Sequence, residues 1–105
     1  MAHSRTRRAS LNDLLKSLLG SNNVYFQPPP DINMSYPCIV YERDNAALKS
    51  ADNIPYSVTQ RYQVTYIDPT PDSDVIDKLL DLPYSSFSRH FATSGLNHDV
   101  FVIYH

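Results

Sequence analysis

Residues 77–104 read DKLLDLPYSSFSRHFATSGLNHDVFVIY, and the order of signals in that stretch decides the fold class. It opens on the tail of an amphipathic helix, is cut by Pro83, and continues as two runs of alternating residues around a short polar turn. Proline ends the helix because it brings no N–H and its ring crowds the preceding turn. In the first run Phe87, Arg89 and Phe91 alternate with Ser86, Ser88 and His90. In the second, Val100, Val102 and Tyr104 alternate with Phe101 and Ile103. A period of two is the signature of a strand, and residues 92–98, with Gly95 and Asn97, suit a hairpin turn. A helix that feeds an antiparallel pair with almost no linker is the back half of an α+β domain.

Working outward from there, Val75, Ile76, Leu79 and Leu80 form the apolar stripe of that helix. Thr70 or Asp72 is its expected N-cap, with Pro71 accommodated in the first turn. Residues 56–68 predict a strand with Val58, Tyr62, Val64 and Tyr66 on one face and Ser57, Thr59, Arg61, Gln63 and Thr65 on the other. Residues 38–43 predict another, centred on Ile39, Val40 and Tyr41, and residues 23–27 a short one stopped by Pro28, Pro29 and Pro30. That triple proline reads as a rigid connector. At the front, Leu11, Leu14, Leu15, Leu18 and Leu19 fall on one face of a helix over 10–19, with Ser10 as its N-cap and Gly20 as its left-handed stop. The fold expected is α+β: a small, mostly antiparallel sheet packed against two helices, in one domain over residues 1–105 with residues 1–9 as a flexible basic N-terminus. The strand of Cys38 or the strand of Tyr104 is the candidate for an unpaired sheet edge.

Composition narrows the function classes. A chain of 105 residues fits one domain, and 42% hydrophobic residues are too many for a disordered chain. Net charge is −2, without the basic balance of a nucleic-acid binder. The charge is unevenly placed: Arg5, Arg7 and Arg8 crowd the N-terminus, while Asp72, Asp74, Asp77 and Asp81 crowd the second helix. Eight Tyr, four Phe and no Trp suit strands and half-exposed interface positions alike. The single Cys38 excludes an internal disulfide and a multi-cysteine zinc site. No apolar run approaches the ~18 residues that cross a bilayer, and no apolar stretch follows the basic start, so neither a membrane span nor a secretory signal is expected.

The chemistry-bearing residues form no recognisable constellation. Two glycines, Gly20 and Gly95, make no phosphate loop. Cys38 beside Ile39 and Val40 reads as a buried, inert thiol rather than a nucleophile served by His90 or His98. Asp72, Asp74 and Asp77 lack the glycine and terminal acid of a calcium loop and read as helix N-terminal charges. His90 and His98 flank the last turn and could face each other across the hairpin, but two histidines without a third ligand make a weak metal case, and surface histidines are the favoured reading. No enzyme activity, no cofactor and no metal site are expected. The polar loop over 44–55 is the longest in the chain and reads as a contact for a partner.

The runs Asn23-Val24-Tyr25-Phe26-Gln27-Pro28-Pro29 and Tyr36-Pro37-Cys38-Ile39-Val40-Tyr41, together with residues 77–104, resemble small neck proteins of long-tailed bacteriophages, and more narrowly the tail terminators that join tail to head. The resemblance spans about residues 11–104, and its motifs are structural rather than catalytic. It implies a ring-forming subunit, commonly six-fold, that caps the tail tube, ends tail polymerisation and offers its other face to a head-completion or connector protein. It implies a place in the virion neck after assembly in the host cytoplasm, with DNA met only as it passes through the lumen and no membrane partner. The alternative within the same setting is a head-completion stopper or another connector ring; a different class altogether is a small enzyme or ligand-binding domain using Cys38, His90 and His98. Ring formation needs contacts between copies, and the expected contact residues are Asp44, Lys49, Asp52, Tyr56, Arg61, Arg89 and Tyr104.

Overall fold

A stripe of leucines and a set of half-apolar strands each need a cover, and in this chain each covers the other. The computed structural model describes residues 3–44 and 60–105. Its elements run α1 (His3–Leu19), β1 (Val24–Phe26), β2 (Cys38–Arg43), β3 (Arg61–Asp68), α2 (Asp74–Leu80), β4 (Ser85–Thr93) and β5 (Leu96–Tyr104). The strands form one sheet in the order β1-β2-β3-β5-β4, antiparallel except for the β1–β2 pair. The class is therefore α+β, with two helices and a five-stranded, mostly antiparallel sheet, as the sequence predicts.

The helices share one face of the sheet. Leu11 and Leu15 are fully buried in one core with Val24, Ile39, Tyr41, Val64 and Phe101, while Leu14, Leu18 and Leu19 pack against that core. Tyr62, Val64 and Tyr66 all point into this core, so the face assigned to them by alternation holds. Residues that pair across strands share a face, which places Asp99, Phe101 and Ile103 of β5 on the helix side with Tyr66, Val64 and Tyr62. Val100 is buried on the other side, so β5 is covered on both faces, as befits an interior strand.

The ends of the elements follow local chemistry, with several corrections. Helix α1 does not start at Ser10; it continues back to His3, which puts Ser10 inside the helix rather than at its cap. Ala9 and Arg8 are compatible with helix, so no local signal forces a start at Ser10. Gly20 (φ 82°) ends α1 in the left-handed conformation, its N–H donating to the Lys16 carbonyl at 2.8 Å. Helix α2 is capped neither by Thr70 nor by Asp72 but by Ser73, whose Oγ accepts from the Val75 N–H at 3.2 Å. Asp68 is what removes Thr70 from that role: its Oδ1 accepts the Thr70 N–H at 2.7 Å and holds 68–70 in a turn before the helix begins. The α2 stripe is Val75, Ile76 and Leu79 with Leu82 beyond the helix; Leu80 is exposed.

The hairpin is tighter than the sequence predicts. Residues 92–98 are not a loop; β4 and β5 run on until only Ser94 and Gly95 turn the chain, with φ of 53° and 76°. Two positive values are what a two-residue type I′ hairpin requires. Both expected edges are also corrected: β2 lies between β1 and β3, and β5 between β3 and β4, so among the described strands the edges are β1 and β4. Residues 56–59 of the predicted strand, and nearly all of the loop over 44–55, lie outside the described residues.

Candidate functional site

Strand β4 is the edge of the sheet, and eight of its nine residues are exposed. A β-bulge sits between Phe87 and Arg89: Phe87 pairs with Phe101, Arg89 with Val100, and Ser88 is the extra residue. The extra residue reverses the alternation. Phe87 stands on the helix face, its ring edge-on to Phe101 at 5.5 Å, whereas Arg89 and Phe91 stand on the other face. The sequence pattern had put Phe87, Arg89 and Phe91 on one side; the bulge separates them. Phe91 is stacked on His98 at 4.6 Å and 11°, with the Arg89 guanidinium 5.8 Å above its ring. Phe87 and Phe91 nevertheless keep 46% and 40% of their surface in water, in a strand whose outer N–H and C=O groups have no neighbouring strand among the described residues.

His90 and His98 do not face each other. His90 pairs with Asp99 and Phe91 with His98, so the two imidazoles lie on opposite faces of the hairpin and cannot share a ligand. His90 Nδ1 lies 2.8 Å from Oδ1 of the buried Asp99. In the same cross-strand row, Tyr66 donates its hydroxyl to Asp68 and lies 3.0 Å from Ser73 Oγ. Burial first, and then the Asp68 carboxylate, push the Tyr66 hydroxyl up to about 12. This row of Tyr66, Asp68, Ser73, His90 and Asp99 joins the cap of α2 and the edge strand to the middle of the sheet; each carboxylate in it has a donor. Among the described residues no group of three His, Cys, Asp or Glu side chains is placed to hold a metal ion.

Other predicted positions are structural in setting. Cys38 is fully buried, and burial pushes its thiol up to about 11, away from the thiolate that nucleophilic chemistry needs. Asp44 and Arg61 meet within the chain, Arg61 Nε lying 3.1 Å from Asp44 Oδ2. Tyr104 pairs opposite Arg61 and is half-buried at the end of β5, with its N–H on the Tyr84 carbonyl at 3.1 Å. The structure thus brings Asp44, Arg61 and Tyr104 to one end of the sheet and leaves Arg89 at the β4 edge. Lys49, Asp52 and Tyr56 lie outside the described residues. Of the basic N-terminal cluster, Arg8 lies over the Phe26 ring at 4.6 Å. A polar cleft of about 540 Å³ opens between Gln27, Pro28, Glu42 and Arg43, with no nucleophile in its walls.

The exposed surface of β4 is the feature that sequence reading missed. Its available signal was the run of Ser85, Ser86 and Ser88 among aromatics, a strand whose two faces are both too polar for a sheet interior. Among the described residues no helix is long and apolar enough to cross a membrane. Comparison with protein-family models, with curated proteins and with solved structures found no match.

Proposed function

We propose that the chain is a structural subunit of the neck of a long-tailed bacteriophage, a tail terminator whose copies form a ring, with six-fold symmetry, that caps the tail tube and presents a docking face to the head. One observation supports a self-assembling subunit above others: a nine-residue edge strand, open among the described residues, with Phe87 half in water on one face and Phe91 on the other beside Arg89. The bulge at Ser88 and the charge of Arg89 are devices that blunt such an edge, but the straight run after the bulge keeps Phe91 exposed, and among the described residues no strand covers it, which suits it to a neighbouring chain. The resemblance of residues 23–29, 36–41 and 77–104 supplies the phage setting. The proposal assigns no catalysis and no cofactor; tail tube protein and head-completion or connector protein are the partners, and DNA passes through the lumen only.

Deletion of the gene from the phage, followed by electron microscopy of the lysate, tests this role. Separate full heads with overlong or unjoined tails are the expected outcome. Filled heads that leak DNA would move the protein to the head-completion ring, and normal virions would remove it from the neck. A virion role without catalysis also predicts that joint replacement of Cys38, His90 and His98 by residues of similar size leaves plaque formation intact. Loss of function in a triple variant that still folds and assembles would restore the enzyme or ligand-binding reading.

A further inference from the structure

We infer that copies of this chain join head to tail, the β4 edge of one subunit pairing antiparallel with the β1 edge of the next. Strand directions come first. With β2 drawn upward, β1 also runs up, β3 down, β5 up and β4 down. Two copies set side by side in the same sense therefore bring a descending β4 against an ascending β1. The sheet continues across the boundary as an antiparallel pair, with the helices of both copies on one side.

The apolar surface has the matching distribution. Among the described residues the exposed large hydrophobics are Ile32, Tyr36, Leu80, Tyr84, Phe87 and Phe91. Four of them belong to the end of α2, the connection into β4, and β4 itself. The other two stand in the connection after β1, which is tied to that strand where the Ser35 N–H donates to the Tyr25 hydroxyl at 3.2 Å. Apolar residues at two opposite edges suit a heterologous contact, in which different patches meet and a closing rotation gives a ring. Charge at the two edges is mixed: β4 carries Arg89 and His90 and no acid, the connection after β1 carries Asp31, and Arg8 of α1 lies over Phe26 of β1.

The bulge argues against the simplest competitor, a two-fold β4–β4 pair. Residues before Ser88 and after it alternate in opposite phase. A symmetric antiparallel ladder can keep facing residues on one side only within one half of the strand. The three residues of β1 fit the straight half, Arg89 to Thr93, without crossing the bulge. Matching the faces sets Tyr25 opposite Phe91, Val24 opposite Ala92 and Phe26 opposite His90.

This rests on the self-assembling part of the reading above and not on its phage setting. Sedimentation velocity on the full chain tests it with two edge variants at exposed positions. One carries Arg89→Asp and Phe91→Asp; the other carries Asp31→Arg and Tyr36→Lys. The native chain is expected to form an oligomer and each variant alone a monomer. Their equimolar mixture should stop at one-to-one heterodimers, since each supplies one intact edge. Matched thermal melts check folding. Oxidation of a mixture of Phe91→Cys and Tyr25→Cys chains, expected to give a cross-linked heterodimer that neither gives alone, reads the contact without blocking it. A native oligomer indifferent to both edge variants, or a dimer lost only with the β4 variant and not recovered on mixing, overturns the head-to-tail contact while leaving self-assembly standing. A native chain that stays monomeric even with tail tubes removes both.

Discussion

At the scale of single residues, the chemistry of this protein is governed by burial. Tyr41 and Tyr66 have hydroxyls pushed up to about 12, chiefly because an ionised phenolate would be stranded in the core. Each is neutral and engaged: Tyr41 donates to Asn12 Oδ1 at 2.8 Å, and Tyr66 donates to Asp68. The folded state therefore holds these protons more tightly than the unfolded chain does. That stabilisation is complete below the ordinary tyrosine value of 10.0 and is lost as pH rises through about 12. Urea denaturation across an alkaline series should show a midpoint that falls over this window, with tyrosinate absorbance appearing together with unfolding. Cys38 belongs to the same picture: a thiol reagent at neutral pH should modify it only as fast as the protein opens, and immediately in denaturant. The inert setting of Cys38 was legible from its apolar neighbours. The partner of His90 was not, because Asp99 comes opposite it only through the exact register of the hairpin, and a turn of two residues gives a register that a seven-residue loop would not.

At the scale of elements, sequence patterns told faces better than ends. The leucines of α1 and the tyrosines of β3 were legible because burial on one face imposes a period that no local competitor disturbs. Leu15→Ala should cost about 2–5 kcal/mol in chemical denaturation, the range for emptying a buried leucine site. The start of α2 was misjudged because Thr70, Asp72 and Ser73 are all competent caps, and the choice among them is made by Asp68 and Tyr66 from another element. Ser73→Ala should cost about 1 kcal/mol from the cap alone, and more if the Tyr66 contact counts; Thr70→Ala and Asp72→Ala should cost less. A Ser73 variant as stable as the native chain would contradict this assignment. Gly95 takes a φ of 76° with nothing near a substituted side chain, so Gly95→Ala should lower stability by about 1 kcal/mol through backbone strain alone.

At the scale of the whole molecule, the sheet order was the least legible property. Whether a strand is central or at an edge depends on pairings between residues far apart in the chain, such as Tyr62 with Ile103, and alternation along one strand does not report them. The exposure of β4 follows from that order, and so does the placing of candidate contacts. A direct check is native-state hydrogen exchange. Amides of β3 and β5, bonded to neighbours on both sides, should exchange slowest, and outward amides of β4 should exchange fast in the isolated subunit and slow markedly on assembly. Fast exchange at β4 in an assembled ring would place the subunit contact elsewhere.

The sheet order also bears on how the chain is made. Strand β4 precedes β5 in the chain, yet among the described residues β5 is the strand that attaches it to the rest of the sheet. Strands β1, β2 and β3 can pair with one another without β5, whereas the Phe87 and Phe91 segment has no docking strand until β5 is in place. A chain that lacks β5 therefore leaves this aromatic stretch without the strand that docks it. Overproduction should therefore favour aggregation of chains truncated before Leu96 far more than of the full chain, and a slower-translated message should not relieve it, because the missing strand, not time, is what limits closure.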